Sequence, residues 1–343
     1  MKKRKWLGIA SSLTITAALL LAGCGKEEKT SGSGGAGGAV KTIKVAHYFA
    51  EDHPQNIALK EVFKKKVEEE SKGKLKVQIF ANSTLGAEKE FYDGVRNGTI
   101  EMGIPGLIMQ ADLPKMAVPE WPFLFRDFDH VKSVLNGEIG KELTADMESK
   151  HGVKPLAWSA NGFRMFSSNK PIEKMEDFKG FRVRMPNIPN YIKLGEALGA
   201  NVSPMPISEV FTALEQKVVD GQDNPIATLR QSGWYEVQSH VLESKHMFSP
   251  NLYIINSKFW NGLTKDQQKI IETASKEAAD YEFELLEKSY NEDKKFLKEN
   301  KIKFTEPDAE FKKEMEKRAQ PLYENIFKEN EWAKDLYDRI KAE

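Results

Sequence analysis

Apolar and polar residues alternate with a period of two over residues 42–46 and again over 75–80, the pattern of half-buried strands. Between them Ile57, Leu59, Val62, Phe63 and Val67 recur at helical spacing, which predicts a helix over 56–70. Ser71-Lys72-Gly73-Lys74 ends it, and 47–54 reads as a polar loop. Strand, helix and strand in this order predict a βαβ unit and a parallel sheet. A second helix over 88–96 and a third strand over 100–104 follow. The aromatic run Trp121-Pro122-Phe123-Leu124-Phe125 reads as core. Helices are then predicted over 129–135 and 138–150, and strands over 153–157 and 162–167.

The pattern restarts near Phe178, with a strand over 181–185 and a helix over 190–198. Ser208 stands where a cap would start a helix running to about Lys217. Gln222-Asp223-Asn224-Pro225 reads as a turn, and 251–256 as one more strand. Thr264-Lys265-Asp266-Gln267 is a capping box, and from there to Glu299 the chain holds no Gly or Pro. That predicts one helix roughly 50 Å long at 1.5 Å per residue, longer than one lobe requires. The tail over 309–342 reads as further helix. The fold class expected is α/β, in two lobes joined by a hinge. The chain crosses between them near 159–166 and 250–256, with the long helix as a spine touching both. The first lobe is expected over 41–160 plus 251–290, and the second, with the C-terminal helices, over 161–250 plus 291–343.

The first residues change the picture of where the chain works. Lys2, Lys3, Arg4 and Lys5 precede an apolar run from Trp6 to Leu21, then Leu21-Ala22-Gly23-Cys24. This reads as a secretory signal over 1–23, too short and wrongly flanked to be a stable membrane span. Leu-Ala-Gly-Cys resembles the bacterial lipobox, which implies that Cys24, the only cysteine, is lipidated. Residues 24–40 are rich in Gly and Ser and are expected to be a flexible tether. The expected location is the extracytoplasmic face of a cell membrane, held by the lipid.

Charge and motifs exclude several functions. The chain has 51 Lys+Arg and 51 Asp+Glu. The signal holds four of the basic residues and no acid, so the remainder carries 47 against 51, a charge of −4. No basic patch argues for nucleic acid. The pairs His47/His53 and His240/His246 are six residues apart, not at metal-ligand helical spacing. There is no Gly-x-Ser-x-Gly, Walker loop or His-Glu-x-x-His. The chain is expected not to be an enzyme and to need no cofactor or metal.

The candidate chemistry lies in arginines. In the strand Phe181-Arg182-Val183-Arg184-Met185, alternate side chains share a face, so Arg182 and Arg184 point one way. Pro186 ends the strand and leaves Arg184 at its C-terminal edge, where ligands bind in open α/β sheets. Its forked guanidinium matches a carboxylate with two parallel hydrogen bonds. Arg164 follows a glycine-flanked crossover, and Asn224 supplies an amide. A surface strand with solvated arginines is the alternative reading of this pattern.

The segments "ANSTLGAEKE", "NGFRMFSSN", "KGFRVRMPN" and "LGANVSPMPISEVFTALEQKVVDGQDNP", together with the long helix, resemble the DctP-type solute-binding proteins of TRAP transporters. The resemblance covers most of the chain after the signal. It implies a two-lobed, periplasmic-binding-protein-like receptor that closes on an organic acid and hands it to small and large permease subunits in the membrane. It implies Arg184 as the selectivity arginine, Arg164 as the crossover arginine and Asn224 as the amide of the Gln-Glu-Asn-Pro motif. Here Asp223 stands where Glu is usual and Met185 where Val is usual. Arg182 is expected to be rim or structural. Glu88, His47, Glu209 and Trp158 are further candidates to line the cleft; Glu88 has the alternative of simply favouring its helix N-terminus. The acid itself stays open between a sugar acid and a C4-dicarboxylate. An acid receptor for an ATP-driven permease or for a sensor kinase is the nearest rival, and a carboxylate-processing enzyme a distant one.

Overall fold

The computed structural model describes residues 39–343. The expected signal peptide, Cys24 and nearly all of the tether lie outside the described residues. No helix among the described residues is long and apolar enough to cross a membrane.

A single nine-stranded sheet organises the described residues. Its strands are β1 (Lys41–Ala46), β2 (Leu75–Phe80), β3 (Met102–Gly103), β4 (Val153–Ser168), β5 (Arg182–Met185), β6 (Asn201–Pro204), β7 (Gly221–Asn224), β8 (His240–Asn256) and β9 (Lys303–Thr305). The order is β2-β1-β3-β8-β4-β7-β5-β6, with β9 pairing β8. The predicted βαβ unit is present: β1 and β2 run parallel, Lys41 opposite Leu75 and Ala46 opposite Phe80. Its helix starts earlier than predicted, at Pro54, because the His53 ring accepts the Gln55 N–H as a cap. It widens to a π-helical stretch over Leu59–Lys64 before ending at Glu70.

Two expectations about strands were too short. β4 is one strand where two were predicted, and β8 extends back from Asn251 to His240. The two run antiparallel along nearly their whole lengths, from Val153 opposite Asn256 to Ser168 opposite His240. Register shifts fall between Pro155 and Ala157, Ala160 and Gly162, and Arg164 and Phe166. One end of this ribbon carries β3, β1 and β2; the other carries β7, β5, β6 and β9. Gln222-Asp223-Asn224 is not a turn but the buried strand β7, paired with both β4 and β5. Ser208 does not cap a long helix. A single 3₁₀ turn, Ile207–Glu209, leads into the short helix Val210–Glu215.

Helices cover both faces of the sheet, and strand alternation sorts the core accordingly. Leu252 and Ile254 of β8 enter one apolar cluster with Phe91, Trp121 and Val134, while Tyr253 and Ile255 enter another with Ile43, Phe63 and Ile271. At the far end Phe166 and Leu242 pack with Val183 and Leu194, and Met165 and Val241 with Leu214 and Trp234. The spine helix is Lys265–Glu299, 35 residues, about 52 Å long at 1.5 Å per residue. Its capping box is formed: Thr264 Oγ1 accepts the Gln267 N–H, and Gln267 Oε1 accepts the Thr264 N–H. Ile271, Ala274 and Ala278 pack beside β1, whereas Leu297 packs with Leu214 and Trp234. The tail forms two helices, Ala309–Glu329 and Ala333–Ala342. The first packs Phe311 and Met315 against Leu194, and the second returns Leu336 and Ile340 to the cluster of Trp121 and Val134.

Candidate functional site

A cavity of about 510 Å³ lies beside the middle stretch of the β4/β8 ribbon, between the two halves of the sheet, within the usual size of small-ligand pockets. Tyr48, Glu88, Gly106 and Glu120 reach it from one side, and Arg184, Tyr191, Met205 and Asn224 from the other. Asn161, Arg164 and Ser249 come from the ribbon itself.

Strand chemistry places the two central arginines. Arg184 is the third residue of β5, one before Met185 and two before Pro186. It is only 2% exposed. Its Nε and Nη2 both donate to the Met205 carbonyl, at 3.0 and 2.7 Å. Its Nη1 has no partner among the described residues. Burial, with Arg164 adding repulsion, pulls its pKa down to about 10. Arg164 sits between two of the bulges of β4, devices that re-aim side chains. Its Nε donates to Asp223 Oδ2 at 2.6 Å and its Nη2 to Oδ1 at 3.0 Å, with Nη1 donating to Ser249 Oγ at 3.3 Å. The guanidinium lies 4.8 Å from the centre of the Tyr191 ring. Burial opposes its charge, but Asp223 more than offsets that and holds the pKa above the ordinary value. The two arginines therefore differ: Arg164 has a fixed internal counter-ion, and Arg184 has none in ion-pair contact among the described residues.

Asn224 lines the cavity at the end of β7. Its Nδ2 donates to Gln222 Oε1 at 2.8 Å, which leaves its second amide hydrogen free. Glu88 is the first residue of the helix Glu88–Asn97, but its side chain does not serve its own helix end. Its Oε1 accepts the Gly106 N–H at 2.7 Å, and Glu90 performs the capping, accepting the Ala87 N–H. A side chain on Gly106 would place its Cβ 3.1 Å from Glu88 Oε1, so glycine admits this approach. Removal from bulk water pushes Glu88 up to about 7.

Three sequence candidates lie elsewhere. His47 is fully buried with both ring nitrogens engaged: Nδ1 accepts the Phe49 N–H and Nε2 pairs with Asn56 Oδ1 at 3.1 Å. Burial lowers its pKa to about 4, so it is neutral. Trp158 belongs to the apolar cluster around Trp121. Glu209 is exposed, and its neighbour Ile207 lines the cavity instead. Arg182 forms a half-exposed pair with Asp220, Nη2 to Oδ1 at 2.6 Å.

Sequence reasoning missed Glu120, Tyr48 and Tyr191. Glu120 Oε1 accepts from Tyr191 Oη at 2.6 Å and Oε2 from Gln110 Nε2 at 2.8 Å. Burial pushes it, too, up to about 7. Tyr48 Oη accepts from Asn251 Nδ2 at 2.7 Å. The one available signal was an acid inside an apolar run, Val118-Pro119-Glu120-Trp121, where an unpaired charge is expensive.

Residues 45–330 match the model of the bacterial extracellular solute-binding proteins, family 7, DctP. A TRAP periplasmic solute-binding protein of Haemophilus influenzae, solved with bound L-gulonate, is 42% identical. It superposes with a TM-score of 0.85 over 88% of this chain and 99% of that one. The sugar acid binding protein DctPAm of Advenella mimigardefordensis, in complex with galactonate, is 28% identical with a TM-score of 0.85 over 89% and 99%. The 2,3-diketo-L-gulonate-binding periplasmic protein YiaO of Escherichia coli is 36% identical over 250 residues, 72% of this chain and 76% of that protein. With a family match across most of its length and a two-lobed fold shared with these structures, the chain belongs to the DctP family of TRAP-transporter solute-binding proteins, which work outside the cytoplasm.

Proposed function

We propose that the protein captures a sugar acid and delivers it to the small and large permease subunits of a TRAP transporter. The observation that carries this reading is Arg184 Nη1, a buried guanidinium nitrogen without a partner among the described residues, in a cavity that also presents Asn224, Glu88 and Glu120. A buried unpaired charge is costly, and a carboxylate supplies the missing acceptor in the geometry a guanidinium favours. The carboxylate sits on Arg184, with the free amide hydrogen of Asn224 as a second donor. Arg164, locked by Asp223, positions Tyr191 and adds positive potential. Glu88, Glu120 and Tyr48 receive the hydroxyl groups. Relatives solved with gulonate and galactonate support a polyhydroxy acid over a C4-dicarboxylate.

The lobes are taken as 41–160 plus 251–290 and 161–250 plus 291–343, with the last helix crossing back. They close by flexing of the β4/β8 ribbon at its bulges, the hinge mode usual for such receptors. Cys24 carries the lipid that holds the receptor at the membrane. The acid is released unchanged.

Thermal melting of the purified protein with L-gulonate, galactonate and D-glucuronate, each beside its neutral lactone or alcohol, tests the reading. A ligand that binds only the folded state raises the midpoint by mass action. The expected result is a rise with at least one acid and none with its neutral counterpart. Equal rises with acid and neutral analogue would overturn the carboxylate seat.

A further inference from the structure

The charges around the cavity do not balance for every acid. Arg164 is neutralised by Asp223, which also lies 3.4 Å from His246 Nε2. Among the described residues Arg184 is the one remaining cation buried in the cavity lining, and the exposed Lys89 and Glu90 stand at its rim. The Tyr48 and Tyr191 phenols are held neutral by burial. Against that single free cation stand two carboxyl groups, Glu88 and Glu120. Among the described residues neither has a lysine or arginine as a hydrogen-bonding partner. Glu88 Oε1 takes a backbone N–H, and Glu120 is held by Tyr191 and Gln110. A monoanion on Arg184 completes the second neutral pair and leaves both glutamates with no cation to share. A second carboxylate on the same ligand would meet them directly in a site of low dielectric, where like charges repel strongly. A hydroxyl group, in contrast, donates to an ionised carboxyl and accepts from a protonated one.

We propose that Glu88 and Glu120 form an acidic pair that selects monocarboxylates bearing hydroxyl groups over dicarboxylates, and that this pair takes up a proton as the monoanion binds. The inference rests on the reading that a carboxylate occupies Arg184. Both glutamates titrate near neutral pH in the empty cavity, about 7 each, so an incoming anion shifts them toward the protonated form in the physiological range. The sign follows: proton uptake favours binding at lower pH, and affinity falls as pH rises through about 7. The sugar acid itself stays ionised there, since free carboxyl groups titrate near ~4. One linked proton allows a change of at most ~10-fold in affinity per pH unit.

Titration calorimetry at pH 6 to 8 tests this, in phosphate and in Tris, whose ionisation heats differ. The probes are L-gulonate, galactonate, D-glucuronate and succinate. Binding of the tightest sugar acid should show buffer-dependent heat corresponding to proton uptake near pH 7. Its affinity should weaken several-fold per pH unit above 7, and succinate should bind at least ~100-fold more weakly at pH 7.5. Glu88→Gln and Glu120→Gln, singly and together, should flatten the pH profile and narrow the gap to succinate. If a sugar acid binds without proton uptake and with flat pH dependence, or succinate binds as tightly, the acidic pair is refuted while the sugar-acid reading stands. If none of the three sugar acids binds, that reading fails and this inference with it. The wild-type titrations decide the matter even if a variant does not fold.

Discussion

Replacing Arg184 by methionine should weaken ligand binding severely without destabilising the empty protein. The guanidinium is buried and has no carboxylate partner among the described residues, and burial pulls its pKa down from the ordinary arginine range to about 10. At 1.36 kcal/mol per unit, the charge is penalised by about 3 kcal/mol. For a base with a lowered pKa this penalty is present at every working pH below that value and is relieved only above it. Methionine removes the charge and keeps much of the volume. The Met205 carbonyl loses two donors, at about 1–3 kcal/mol for a buried acceptor, but it borders the cavity and water can replace them. The empty variant should therefore melt no lower than the wild type. A bound carboxylate, however, loses its charge-assisted fork, worth about 3–5 kcal/mol for a desolvated pair broken on one side. That is a loss of at least ~100-fold in Kd. Calorimetric titration with the best sugar acid and a melt without ligand give the two numbers. If Arg184→Met melts several degrees lower when empty yet binds within about tenfold of wild type, the arginine is a structural strut and the argument fails.

The Arg164–Asp223 pair should behave in the opposite way. Asp223→Asn leaves a buried guanidinium uncompensated and should lower urea stability by about 3–5 kcal/mol, with or without ligand. Despite burial, which opposes its charge, Asp223 is held well below the usual carboxylate range, chiefly by Arg164. Its stabilisation is thus complete above about pH 4 and is lost as pH falls further; an acid titration of wild type should show a loss that Asp223→Asn lacks. Glu282 on the spine helix has its pKa pushed well above normal by burial, and its Oε2 accepts the Ala160 N–H. An acid held protonated by folding loses stability as pH rises past its unfolded value near ~4. The stability of Glu282→Gln relative to wild type should therefore increase from pH 5 to 8 in urea titrations. Gly221→Ala should cost at least about 2 kcal/mol, because the new Cβ would lie 2.0 Å from the Ser167 carbonyl oxygen. A urea midpoint equal to wild type would show that β7 shifts freely. Cys24→Ser should move the protein from the membrane to the soluble fraction of fractionated cells.

Much of the frame was legible because it follows the solvent boundary. The βαβ start and the spine helix have one buried face, so hydrophobicity alternates at the right period. The site was harder because it inverts that rule. Gln222, Asp223 and Asn224 are polar yet fully inside, and read as a turn because only their partners Ser167, Arg164 and Asn161 make burial tolerable. The first half of β8 hid for the same reason: Ser244 and His246 are buried and pair with each other along the strand, and buried Ser249 accepts from Arg164 of β4. Arg184 was found because proline marks a strand end in the sequence itself. His47 was misplaced because a strand end alone does not say which way its next side chain turns.

The long pairing of β4 with β8 also bears on how the chain folds. Residues joined across the sheet lie far apart in the chain; Met102 pairs with Ile255, about 150 positions later. Contacts of such separation form late and slowly. Neither end of the sheet is complete until β8 has been synthesised, so a nascent chain lacking it has no finished half to settle into. Until then the nascent chain can hold local helices and the β1/β2 pair, but not the sheet that joins its two halves.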